Sequence, residues 1–185
     1  MGRRSNLGKR SETLQGEVVK LEPLTPESAE LARQWRNEDI SPYRTPFLLT
    51  SENQQEWYKE VTERCSPHRY YTIGDKSLRD SNYWINGVGG ITNIQWENRI
   101  CEISLVINPK NRRMGIGSEA VQLIKYEAFN SLNLHTLFGE VYGCANMDFW
   151  KSCKPDYMTT LPNRKYWNGK YHDSMYFSWS KDGDN

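Results

Sequence analysis

Two arginines followed by two glycines, Arg112-Arg113-Met114-Gly115-Ile116-Gly117-Ser118, are the residues of this chain best suited to chemistry. An apolar run, Ile103-Ser104-Leu105-Val106-Ile107, precedes them and stops at Asn108-Pro109, because proline cannot donate to a strand ladder. Glycine lets the backbone approach a ligand closely, and the amides that open a helix have no partner within it. Those amides, the positive end of the helix dipole and two guanidinium groups together suit a diphosphate. The segment is therefore the candidate site for a nucleotide-like cofactor.

Two glycine patterns fit it. Gly115-Ile-Gly117-Ser-Glu-Ala120 satisfies the G-x-G-x-x-G/A dinucleotide fingerprint. That fingerprint belongs in the tight turn directly after a strand, usually in the first βαβ unit. Here a basic loop intervenes and the motif lies past the middle of the chain. Arg112-x-x-Gly115-x-Gly117, entered through Leu105-Val106-Ile107-Asn108-Pro109, resembles instead the Q/R-x-x-G-x-G/A loop of the GNAT superfamily of N-acetyltransferases. The resemblance implies that Arg112, Arg113, Met114, Gly115, Ile116, Gly117 and Ser118 hold the pyrophosphate of acetyl-CoA. It places Leu105, Val106 and Ile107 along the pantetheine arm, with a backbone N–H near Val106 or Ile107 as oxyanion donor. It also gives Asn146 a hydrogen bond to the pantetheine. Trp35-Arg36-Asn37, Asn133-Leu134-His135 and Glu140-Val141 are similar to the branch that acetylates ribosomal-protein N-termini and to its sugar-nucleotide relatives.

Acyl transfer to an amine needs a neutral nucleophile and donors for the developing oxyanion. Glu102 on the motif strand and Glu140 on the next strand are the candidate bases, each also readable as a strand carboxylate paired with an arginine. Many members of the superfamily carry a tyrosine downstream of the asparagine to protonate the leaving thiolate. Cys153 holds that position here, and Tyr157 is the candidate replacement. Its absence keeps a non-catalytic acyl-CoA-binding module in view. The acceptor is expected among aromatic and basic residues: Arg44, Phe47, Trp84, Trp150 and Tyr166, with Tyr43, Arg164, Trp167 and Tyr171 nearby. Such a floor suits a planar or phosphorylated amine, such as a nucleotide-linked amino sugar. A protein N-terminus ranks second and an amine-bearing nucleic-acid base third. His68, His135 and His172 show no ligand spacing, so no metal is expected.

The elements that must position these residues alternate. Residues 17–24 read as a strand, and Thr25-Pro26 caps a helix whose apolar face holds Leu31 and Trp35. A second helix is predicted over 51–64, then strands over 69–74 and 83–95 that form a meander with the motif strand. Ile116, Ala120, Ile124 and Ala128 recur at four-residue spacing, giving the motif helix one face for the sheet. A strand over 134–142 completes a parallel βαβ unit, followed by a short helix over 146–152 and strands over 157–161 and 174–180. The resemblance and this order imply an α/β (α+β) GNAT fold. Its sheet is mixed, mostly antiparallel and six- to seven-stranded, with helices on both faces and a central parallel pair.

The bulk properties allow one domain, residues 16–181, between a basic tail over 1–15 expected to be disordered and a short tail over 182–185. A net charge of +1 in 185 residues gives no global attraction to nucleic acid or to a membrane. No apolar run approaches the roughly 20 residues of a membrane span, and no signal sequence is visible. Cys65, Cys101, Cys144 and Cys153 lack paired spacing and read as reduced thiols. A cytoplasmic monomer or homodimer acting on acetyl-CoA and an amine is the expectation.

Overall fold

The structure, a computed structural model, describes residues 13–78, 84–143 and 147–182. Strand β1 (Leu14–Gln15) and strand β2 (Val19–Pro23) lead into helix α1 (Pro26–Glu38). Thr25 caps α1: its hydroxyl accepts from the Ser28 N–H, and the Ser28 hydroxyl accepts from the Thr25 N–H. Thr50 and Asn53 repeat this reciprocal cap on helix α2 (Ser51–Thr62). Each satisfies amides that a helix start leaves unpaired. The meander follows as β3 (Arg69–Asp75), β4 (Ile85–Gln95) and β5 (Ile100–Ile107). Helix α3 (Ile116–Tyr126) ends in a π-helical turn, and then come β6 (Thr136–Tyr142), α4 (Met147–Ser152), β7 (Tyr157–Trp167) and β8 (Lys170–Ser180).

The strands form one sheet in the order β1-β2-β3-β4-β5-β6-β8-β7, antiparallel everywhere except between β5 and β6. It has eight strands rather than six or seven, because Leu14 and Gln15, expected in the tail, pair with Leu21 and Lys20. The last two strands also run further than expected. Asn168 and Gly169 take φ of 49° and 79°, the two positive angles of a type I′ hairpin turn. Pro162-Asn163, which made the strand look finished at Leu161, is absorbed by a register shift between Leu161 and Lys165. β7 lies at the edge of the sheet, where a missing N–H is tolerated.

Helices cover both faces. On one, Ile116, Ala120, Ile124 and Ala128 of the α3 side are buried against Val19, Ile73, Ile91, Ile103, Leu137 and Phe177, as their spacing predicts. On the other, Ala32, Trp35 and Val61 pack over Ile85 and Val88. Among the described residues no helix is long and apolar enough to cross a membrane.

Candidate active site

The parallel pair opens into a gap. β5 and β6 pair only at Ile100–Thr136, Cys101–Leu137 and Glu102–Phe138, yet β5 continues to Ile107 and β6 to Tyr142. On its other side β5 stays bonded to β4: the Asn108 N–H donates to the Asn86 carbonyl at 2.9 Å, with Val106 opposite Val88 and Ser104 opposite Gly90. Backbone groups alternate in direction along an antiparallel strand. The N–H groups of Ser104 and Val106 therefore turn toward β4, and those of Leu105 and Ile107 toward the gap. Of the two expected oxyanion donors, Ile107 faces the open side and Val106 does not. A row of unpaired backbone groups on a strand edge pairs readily with an extended ligand.

The glycine loop closes one end of the gap. Gly115 caps α3 with φ of 81° and no side-chain cap, and the Glu119 N–H closes the first turn on the Gly115 carbonyl at 3.0 Å. The amides before Glu119 are the unpaired ones of the helix start. A Cβ on Gly117 would stand 3.1 Å from the Phe149 ring of α4 and 3.6 Å from Ile107. Arg112 and Arg113 are exposed and line the cavity that continues from the loop. Ser118 lines it too, whereas Ile116 is buried in the core and Met114 is exposed outside the wall.

This cavity, of about 910 Å³, runs from the loop along residues 102–107 to the face beneath α1 and α2. Glu102 reaches it at the closed end of the gap. Its carboxylate accepts from Arg44 at 2.9 Å and from the Asn93 side chain at 2.8 Å. Asn93 is turned to it by a register shift after Thr92, where Asn93 itself takes φ of 52°. Glu140 accepts from the Ser174 hydroxyl at 2.6 Å and Arg164 at 3.1 Å, with Arg44 at 4.0 Å. Burial pushes the Glu140 pKa up, but the Ser174 and Arg164 hydrogen bonds and the Arg164 and Arg44 charges outweigh it, leaving it below the ordinary value. Arg44 thus sits between the two carboxylates, and its Nε donates to the Tyr142 hydroxyl at 3.0 Å. The loop carrying it is pinned by Lys165 of β7, which donates to the Ser41 and Tyr43 carbonyls.

Of the expected acceptor residues, the structure brings Arg44 and Trp150 to the cavity, Trp150 stacked on Phe177 at 4.7 Å between ring centres. Phe47 is exposed away from it. Trp84 packs beside Gly74 under the Lys20 ammonium instead. Tyr166 pairs with Tyr171 at the hairpin tip. Tyr157 is also elsewhere, exposed on β7 beside Tyr176. Cys153 is buried, its thiol pKa raised by that burial, and its carbonyl accepts from the Trp179 ring N–H. Asn146 lies outside the described residues. Besides Trp150, the rings that line the cavity are Tyr43, Trp57, Tyr70, Tyr142 and Phe149, with Arg36 among them. Trp57 carried a usable signal, a place on the apolar face of α2. Tyr70 and Tyr142 had none beyond strand alternation. Among the described residues no group of three or more His, Cys, Asp or Glu side chains is placed to hold a metal.

A family model described as an acetyltransferase (GNAT) domain matches residues 19–143. A comparison with curated proteins found no match. Among solved structures, a chimeric spermidine N-acetyltransferase from Vibrio cholerae and hSSAT superposes with a TM-score of 0.75 at 15% identity, covering 90% of this chain and 97% of that one. A dodecameric spermidine N-acetyltransferase from Vibrio cholerae gives 0.73 at 17% identity, covering 90% and 96%. A probable acetyltransferase gives 0.71 at 16% identity, covering 92% and 97%. At these identities the likeness is one of fold.

Proposed function

The chain belongs to the GNAT acetyltransferase domain family, and on that premise we propose that it acetylates the primary amine of a small molecule, a nucleotide-linked amino sugar being the class that fits best. The observation that carries this reading is the gap: β5 and β6 part after Glu102 and open onto the unpaired start of α3. Members of this family take their acetyl group from acetyl-CoA. Its pyrophosphate would lie on the amides at Gly115–Ser118 beside Arg112 and Arg113, and its arm would pair with the Leu105 and Ile107 backbone.

The amine nitrogen attacks the thioester carbonyl, forming an N–C bond, and the oxyanion accepts from the Ile107 N–H. Glu102 receives the amine proton directly or through water. The C–S bond then breaks and the thiolate takes a proton. Tyr142 is better placed to supply it than Tyr157, because it lines the cavity and its oxygen accepts from Arg44, leaving its own hydrogen free. Glu140 serves this reading as a fixed negative charge that holds Arg44 and Arg164.

A polyamine, the acceptor in the names of the Vibrio cholerae neighbours, would call for uncommitted carboxylates. Of the carboxylates lining the cavity, Glu102 and Glu140 are already bonded to arginine, and Asp39 is engaged by the Ser41 N–H. The burial of Cys153 where a tyrosine is common favours one second reading, an acyl-CoA-binding module without turnover. Radiolabelled acetyl-CoA, the purified protein and separate metabolite, protein and nucleic-acid fractions of a cell extract decide. Label in small amines is expected. Label only in the protein or nucleic-acid fraction would replace the acceptor class, and acetyl-CoA binding with no labelled fraction and no CoA release would leave the binding module.

A further inference from the structure

Arg36 is the cavity cation that the chemistry above does not use. It stands in the last turn of α1 and faces the cavity with Ala32, Trp57 and Tyr70. Trp57 and Tyr70 meet edge to face, 4.9 Å between ring centres. The Arg36 guanidinium lies over the Tyr43 ring at 4.7 Å, and its Nε is buried with no hydrogen-bond partner. Arg44 is held by Glu102 and Tyr142, and Arg164 by Glu140. No carboxylate among the described residues is paired with Arg36. Burial presses its pKa down, and the groups that offset this are the phenols Tyr43 and Tyr70, not an acid.

Arg36 is half-buried, and a charge partly withdrawn from water is costly unless it is paired. The Tyr43 face offsets part of that cost, and the negative end of the α1 dipole a further part. Neither takes up the fork of N–H donors that a guanidinium presents, a fork whose geometry matches a carboxylate or a phosphate. The orphaned Nε calls for an absent partner, and the Arg36 side chain lines a cavity large enough to admit one.

We propose that Arg36 binds an anionic group, carboxylate or phosphate, on the acceptor, so that the enzyme selects amines bearing a negative charge elsewhere in the molecule. This rests on the acetyltransferase reading and adds the acceptor's second recognition point. The aromatic walls around Arg36 then hold the body of the acceptor, with its anion under α1 and its amine directed to Glu102 and the gap.

Two pairs of probes differ only in the anion: glucosamine 1-phosphate against glucosamine, and tyrosine against tyramine. Each is measured for transfer from acetyl-CoA and for equilibrium binding to the CoA-saturated protein. The wild type is expected to favour the anionic member of at least one pair by about tenfold or more, the scale of a charge-assisted hydrogen bond. The favoured pair tells phosphate from carboxylate. Arg36→Gln should erase that preference while leaving the neutral member and the acetyl-CoA affinity unchanged, and Arg36→Lys should restore part of it. The proposal is overturned by a wild type with no preference in either assay, by equal loss for both members, or by weakened acetyl-CoA binding, which would make the cofactor the partner of Arg36. Should no amine accept the acetyl group, the transferase reading fails by itself, and the binding preference still decides the role of Arg36.

Discussion

Glu102 illustrates how one residue is made usable by its neighbours. Both of its oxygens are engaged, one by Arg44 and one by Asn93, so the carboxylate is aimed as well as charged. Glu102→Gln keeps the shape and removes the proton acceptor. We expect kcat to fall by about 10²-fold or more, the usual contribution of a positioned base, with the acetyl-CoA dissociation constant unchanged in a fluorescence titration. A loss confined to acetyl-CoA affinity would remove Glu102 from the chemistry. Glu140 predicts a pH effect instead. Its pKa in the fold is below the ordinary value, so its contribution to stability is present above the unfolded-state pKa of about 4.3 and is lost as pH falls through the folded value. Glu140→Gln should therefore narrow the stability difference between neutral and acidic pH in denaturant titrations. An unchanged acid limb would contradict the assignment.

At the scale of elements, the site is made by a strand that loses its partner and a helix that starts without a side-chain cap. The gap needs β6 to diverge after Phe138, and the loop needs Gly115 in the left-handed region, where a side chain is strained. Gly117 is needed for a different reason, since α4 covers it through Phe149. Gly117→Trp should abolish acetyl-CoA binding in calorimetry while far-ultraviolet circular dichroism stays that of the wild type, because the crowding lies at the mouth of the site and not in the core. Retained binding would take the loop out of the cofactor site. Arg112→Glu, which reverses a charge at an exposed position, should weaken binding in the same direction without steric change.

For the whole molecule, the cavity joins parts distant in sequence: the α1–α2 segment, the meander, the α3 loop, β6 and α4. A ligand bound there ties the folded state together and stabilises it by mass action. Acetyl-CoA at 100 times its dissociation constant should add about 2.7 kcal/mol, seen as a rise in Tm, whereas NADH at the same concentration should add nothing. A rise with NADH that CoA does not compete away would restore the dinucleotide pattern that Gly115-Ile-Gly117-Ser-Glu-Ala120 also satisfies.

The amino-acid order by itself determined most of the elements and the place of the glycine loop. Proline and glycine act locally, as at Pro109, Gly115 and Gly117, and the four-residue repeat from Ile116 to Ala128 fixes a buried helix face without reference to the rest of the chain. The Asn168-Gly169 turn was equally local and legible, and it places the hairpin that Pro162 concealed. The acceptor side belonged to the tertiary structure. Trp84 and Tyr166 are as aromatic as Trp57 and Tyr70, and no local rule says which pair faces the cavity. That depends on which face of the sheet each strand residue takes and on how α1 and α2 cross it. Arg36 reads as an ordinary last-turn cation until α1 is packed, and only its place over Tyr43, with its Nε buried and no carboxylate among the described residues paired with it, sets it apart.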